Sequence, residues 1–129
     1  MGITEDGIKG ELWLLNVFEK KGIPTFQGDV MSLENNAYIL NEIKNQEFYT
    51  TPPFDGHGLP LWQTKARMAF FNKTGIRCRL VVLEKGTSLS YWQWLDILEN
   101  KEFYDTNGGH PRRIYPLKNF SIDFEGNNE

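Results

Sequence analysis

Apolar residues recur three and four positions apart along "DGIKGELWLLNVFEK", with Ile8, Leu12, Leu15 and Phe18 on one face, which predicts an amphipathic helix over residues 7–21. Asp6 is the expected N-cap, and Gly22 followed by Pro24 the expected stop. Period-2 patterning follows in "GDVMSL" and, after the turn residues "ENN", in "AYILNEIKNQE", predicting two strands joined as a hairpin. The prolines and glycines of "FYTTPPFDGHG", residues 48–58, predict a loop. "LPLWQTKARMAFFNKTG" predicts a second helix with Pro60 in its first turn and Gly75 at its end. "IRCRLVVLEK" is apolar throughout its centre, as an interior strand is. "SYWQWLDILENK" predicts a short helix and "RRIYPLKNF" a last edge segment. The order is that of a mixed α/β domain with a small central sheet flanked by helices.

At 129 residues the chain is expected to form one domain over 1–120 with an acidic C-terminal tail, 121–129. Hydrophobic content of 40% and charged content of 24% are ordinary for a globular chain, and eighteen aromatic residues point to a core built on large rings. No stretch has the length of a membrane span and the N-terminus lacks a secretion signal, so a cytoplasmic location is expected. The lone Cys78 shares strand parity with Ile76, Leu80 and Val82 and reads as a small core residue. A net charge of −3 is not that of an obvious nucleic-acid binder. Setting aside Asp123, Glu125 and Glu129 of the tail leaves equal numbers of acidic and basic groups. Within residues 60–85, however, Lys65, Arg67, Lys73, Arg77, Arg79 and Lys85 face one acid, Glu84. Alone, that charge reads as a solvated helix face and adjacent strand edges.

On an extended strand Tyr38, Leu40, Glu42, Lys44 and Gln46 share one face, with Glu42 and Lys44 about 7 Å apart. By themselves they read as an exposed strand end with a weak ion pair. A hairpin centred between Asn35 and Asn36 sets Asp29 opposite Glu42, and facing carboxylates repel unless a cation lies between them. Asp29 alone could also be a strand-start residue accepting turn hydrogen bonds. Glu11 sits beside the apolar face of the first helix, after Gly10, where another backbone can approach closely. By itself it reads as a boundary residue reaching solvent.

Glu11 in a first helix, Asp29, and Glu42-Ile43-Lys44, in the order helix, hairpin, helix, strand, resemble the active-site motif and core of the PD-(D/E)XK nuclease superfamily over roughly residues 7–85. Gly28 stands where proline is frequent. The Asp-to-Glu interval and the helical glutamate are most similar to the Holliday-junction-resolvase branch. The resemblance implies a restriction-endonuclease-like core and a metal-dependent endodeoxyribonuclease, phage- or prokaryote-like in compactness, acting on DNA and structure-specific for junctions or branches if it follows the resolvases. It implies that Asp29, Glu42 and the Ile43 carbonyl ligate Mg²⁺ or Mn²⁺, with Glu11 holding a second ion or a metal-bound water. Lys44 would orient or deprotonate the attacking water, and Gln46 would hydrogen-bond a phosphate or that water. A resolvase cutting two strands needs a homodimer, which no residue pattern settles.

The same resemblance makes Gln63 and Arg67 candidate phosphate contacts, together with Lys65, at the start of the second helix; ordinary surface charge is the competing account. His57, in "PPFDGHGLP", is a candidate phosphate contact on a lid loop or a surface histidine on a rigid turn. Trp92 and Trp94 could stack bases or fill the core, and Arg112 and Arg113 could track a backbone or decorate an edge strand. Two other readings stay open: a nucleic-acid-binding module that keeps the nuclease fold without turnover, and a protein-interaction domain with surface acids.

Overall fold

The computed structural model describes residues 5–23, 25–26, 30–47, 49–50 and 53–124. Its elements run α1 (Glu5–Lys21), β1 (Thr25–Phe26), β2 (Val30–Glu34), β3 (Ala37–Gln46), β4 (Gly56–Pro60) and α2 (Leu61–Thr74). β5 (Arg77–Glu84), β6 (Ser90–Trp94), α3 (Leu95–Glu99), β7 (Tyr104–Asp105), β8 (Arg112–Pro116) and β9 (Ser121–Ile122) follow. One mixed sheet has the order β1-β2-β3-β5-β6-β9, and a second has the order β4-β8-β7. Among the described strands only β3 and β5 pair in parallel, with Glu42 beside Leu80, Lys44 beside Val82 and Gln46 beside Glu84. Among the described residues no helix is long and apolar enough to cross a membrane.

The β2–β3 hairpin turns on Asn35 and Asn36 with φ of 52° and 63°. Asparagine tolerates that left-handed backbone, and such two-residue turns match the twist of paired strands. The resulting register pairs Val30 with Asn41 and Glu34 with Ala37, the pairing expected from the sequence. Helix α2 starts after Pro60 and stops at Gly75, whose φ of 77° closes the last turn with an N–H to the Phe71 carbonyl at 2.8 Å.

Strand parity divides the core in two. Leu40, Cys78, Leu80 and Val82 face the second sheet and α3, packing on Leu59, Leu95, Leu98 and Tyr115. Val30 and Val81 face α1, packing on Leu14, Val17 and Phe18, with Ile43 beside them. A Cβ on Gly10 would come within 3.3 Å of Ile43 and 3.5 Å of the Asn45 Cβ, so the missing side chain is what lets α1 lie close on β3.

Several sequence expectations are corrected here. Leu12 is 55% exposed; α1 buries the expected Phe18 together with Leu14 and Val17, one step round the helix. Residues 90–94 form a strand rather than the start of a helix, because β5 offers an open edge with which they pair from Ser90 to Trp94. Residues 56–60, expected in a loop, are β4, and 112–116, expected at an edge, lie between β4 and β7. The packed body runs past residue 120: β9 pairs with β6, and Phe124 is buried against Phe18 and Trp92.

Candidate active site

Glu42, Lys44 and Gln46 project from one face of β3 toward α2 and the second sheet. Glu42 is only 9% exposed. Its Oε1 accepts a 2.8 Å hydrogen bond from Arg67 Nε, and its Oε2 lies 3.8 Å from Lys44 Nζ. Arg67 reaches it because α2 crosses this face two turns after its start. Lys44 is itself largely withdrawn from water, which holds its ammonium pKa below the ordinary 10.5. Glu42 opposes that shift, while the positive charges of Arg112 and Arg67 add to it. The centre is therefore one buried carboxylate in the field of three cations, a surplus of positive charge suited to a phosphodiester.

Arg112, at the start of β8, is the third cation, and the sequence alone does not separate it from an edge-strand surface charge. Its Nη2 donates to the Gly58 carbonyl at 3.4 Å, and its guanidinium lies 5.5 Å from the Tyr49 ring centroid. Its neighbour Arg113 is consumed structurally, donating to Asp105 at 2.8 Å and to Glu99 at 2.9 Å. Only the second sheet, invisible in the local pattern, distinguishes the two.

The remaining candidates divide. Gln46 shares the face but not the expected role: its Oε1 lies 3.0 Å from His57 Nδ1 and 3.3 Å from the Gly58 N–H. His57 is the clearest correction. Instead of meeting phosphate on a surface loop it is 0% exposed, wedged between Gln46 and Glu84, with Nε2 2.9 Å from Glu84 Oε1. The cause is the pair of glycines around it. A Cβ on Gly56 or Gly58 would run into the backbone carbonyls of Tyr115 or Arg113, so only glycine lets β4 lie this close on β8, and the alternate residue is driven inward. Gln63 is half-buried, with an Oε1 that no described group satisfies, and Lys65 is exposed. Glu11 is half-buried beside Gly10, where α1 packs on the Ile43 and Asn45 face of β3. Asp29 lies outside the described residues.

Burial lowers the His57 pKa below 6.5, against the opposing pull of Glu84. A neutral ring has one N–H to share between Glu84 Oε1 at Nε2 and Gln46 Oε1 at Nδ1, and Glu84 also accepts from Thr87 Oγ1 at 2.9 Å. At high pH neither folded nor unfolded chains carry a proton here. As pH falls through the unfolded value of about 6.5, the unfolded chain takes up a proton that the folded chain refuses, so stability declines until the lowered folded pKa is reached. Urea midpoints should accordingly drop as pH falls through about 6.5, and His57→Gln should flatten that slope.

Among the described residues no group of three or more His, Cys, Asp or Glu side chains could hold a metal ion. Glu42 Oε1 is also occupied by Arg67. One carboxylate and the Ile43 carbonyl are less than a divalent-cation site, so the described residues alone do not fit Mg²⁺ or Mn²⁺.

No protein-family model and no curated protein sequence matches the chain. Among solved structures it is similar to Hjc, a Holliday junction resolvase from Archaeoglobus fulgidus. The TM-score is 0.57 at 12% sequence identity, over 84% of this chain and 88% of that one. At that identity the likeness establishes the architecture: the chain has a restriction-endonuclease-like fold.

Proposed function

We propose that this chain is a nuclease that hydrolyses phosphodiester bonds in branched DNA. The observation that carries the reading is the Glu42–Lys44 pair on β3, half-buried and ringed by Arg67 and Arg112. The fold similarity to a Holliday junction resolvase supports it and suggests the junction as substrate. A phosphate entering this field meets the positive charge of Arg67, Arg112 and Lys44, of which Arg67 and Lys44 lie against Glu42. The water oxygen bonds to phosphorus as one ester P–O bond breaks. Lys44, when neutral, accepts the proton of that water, and the departing alkoxide is protonated from solvent. Arg67 and Arg112 offset the charge that builds on the phosphoryl oxygens. Glu42 holds Lys44 and Arg67 in register.

Metal dependence belongs to the proposal through Asp29: with Glu42 and the Ile43 carbonyl it would complete a site for Mg²⁺ or Mn²⁺, near which Glu11 is the further acid. Such an ion would supply charge neutralisation and a more acidic water. Cutting two strands of a junction would need a homodimer, acting on DNA in the cytoplasm.

The test compares linear duplex, nicked, flap and four-way-junction DNA, each with Mg²⁺, Mn²⁺ or EDTA. Metal-dependent cutting that prefers branched substrates, and is lost in Glu42→Ala, supports the reading. DNA binding without cutting would instead favour a non-catalytic module, the alternative to which the Arg67–Glu42 contact points, since it occupies the carboxylate.

A further inference from the structure

Between the first turn of α2 and the 109–112 segment lies an open cleft of about 560 Å³, lined by Pro60, Trp62, Lys65, His110, Pro111 and Arg112 among others. We propose that this cleft is a subsite for an unpaired nucleotide of the DNA strand: the base stacks on Trp62, and its phosphate lies against Lys65 and Arg112. The inference rests on the nuclease reading for its substrate class and goes beyond it by saying how a branched strand is distinguished from a paired one.

Four features support it. The volume falls within the roughly 300–1,000 Å³ of small-ligand clefts. Trp62 is 57% exposed at the lip of the cleft, where an indole wastes apolar surface unless something flat covers it. The lining carries Lys65, His110 and Arg112 and no carboxylate. Asp105, the acid that feels the Lys65 charge, is engaged by Arg113 at 2.8 Å. Recognition would be by side chains, because the Leu61 N–H at the helix start already donates to the Pro111 carbonyl at 2.9 Å.

Arg112 gives the cleft its place in the reaction. Its Nε is buried with no described acceptor, and its charge reaches Lys44. Arg112 lines the cleft and is also the cleft residue whose charge acts on Lys44, so it links the two. A base can occupy the Trp62 cleft only after leaving its stack, which costs least at a junction, flap or single-stranded end. Fully paired DNA presents no such base.

The experiment measures binding of the full chain to labelled single-stranded, flap and fully paired DNA in EDTA, with Lys44→Met present throughout to keep the DNA intact. Relative to that background, Trp62→Ala should weaken binding to single-stranded and flap DNA by about tenfold and move duplex affinity by less than about twofold, as loss of one base stack predicts. Trp62→Phe should restore most of it. A 2-aminopurine at the unpaired position should be quenched on binding and brighten again in Trp62→Ala. Unchanged affinity in Trp62→Ala, or an equal loss on paired and unpaired DNA, overturns the proposal. If the parent chain, assayed separately with Mg²⁺ or Mn²⁺, cuts no DNA yet the Trp62-dependent preference persists, the nuclease reading falls and the subsite stands. If cutting requires Lys44 while the preference is missing, the subsite falls alone.

Discussion

Replacing Lys44 with Met should lower the rate of DNA cleavage by about 10²–10⁴-fold, the range for losing a positioned acid–base group, with the fold intact. Met keeps the length and apolar stem of the side chain while removing the amine. Because burial already disfavours the Lys44 ammonium, removing it should not reduce stability; the folded state bears a cost at the position where the proposed reaction would use a base. The pH profile gives the sign. A base must be neutral, so the rate of the parent chain should climb with pH and level off below the ordinary lysine value of 10.5, since burial, Arg112 and Arg67 all favour the neutral amine. Lys44→Arg separates proton transfer from charge, since guanidinium stays protonated. Arginine should leave cleavage nearly as low as Met; full activity with arginine would make Lys44 a charge-stabilising group instead.

The largest expected stability effect lies on the opposite face of the sheet. Arg79, in β5, is almost fully buried, and its Nε donates to Asn41 Oδ1 at 2.9 Å while the guanidinium pairs with Glu34. Asn41 in turn donates to the Val30 carbonyl at 3.1 Å and to Ser32 Oγ at 2.9 Å, so the network ties β2, β3 and β5 together. The Trp94, Phe124 and Phe18 rings lie 5.3, 5.0 and 5.7 Å from the guanidinium, excluding water from it. Arg79→Ala would strip Asn41 Oδ1 of its donor and leave Glu34 with Ser32 Oγ but no cation, beside a cavity. We expect a loss of about 3–5 kcal/mol, the cost of breaking a buried pair from one side. For a domain of this size that is a fall in Tm of roughly 10 °C or more, measurable by calorimetry. Arg79→Met, which keeps the stem against the rings, should cost less. An Arg79→Ala protein as stable as the parent would show that the network contributes specificity rather than stability.

Arg79 also shows where a reading of the sequence reaches its limit. It belongs to the basic stretch read as solvated charge, yet strand parity places it inward, where Asn41 and Glu34 meet it from strands 38 and 45 residues away. His57 is the converse case. A histidine between glycines in a Pro/Gly-rich stretch looks like a loop tip, but the same glycines permit the close β4–β8 contact that buries it. Leu12 was misplaced for a smaller reason: α1 has apolar residues on two adjacent faces, and the choice between them is made by what β3 and Phe124 leave to cover.

Local chemistry was enough where a rule acts within a few residues. Periodicity located α1, which begins at Glu5 and so takes in the expected cap Asp6; periodicity and terminal residues located α2, the Asn35–Asn36 turn set the β2–β3 register, and alternation put Glu42, Lys44 and Gln46 on one face with Cys78 in the core. Tertiary structure alone decided which charges meet. It brought Arg67 and Arg112 to the Glu42–Lys44 pair, took Arg113 into ion pairs and sealed His57 inside. It also built the second sheet from β4, β7 and β8, strands too short and too far apart in sequence to announce one another. The physical reason is range: turn geometry and side-chain alternation act between neighbours, whereas burial and electrostatic pairing depend on whatever the folded chain happens to place nearby.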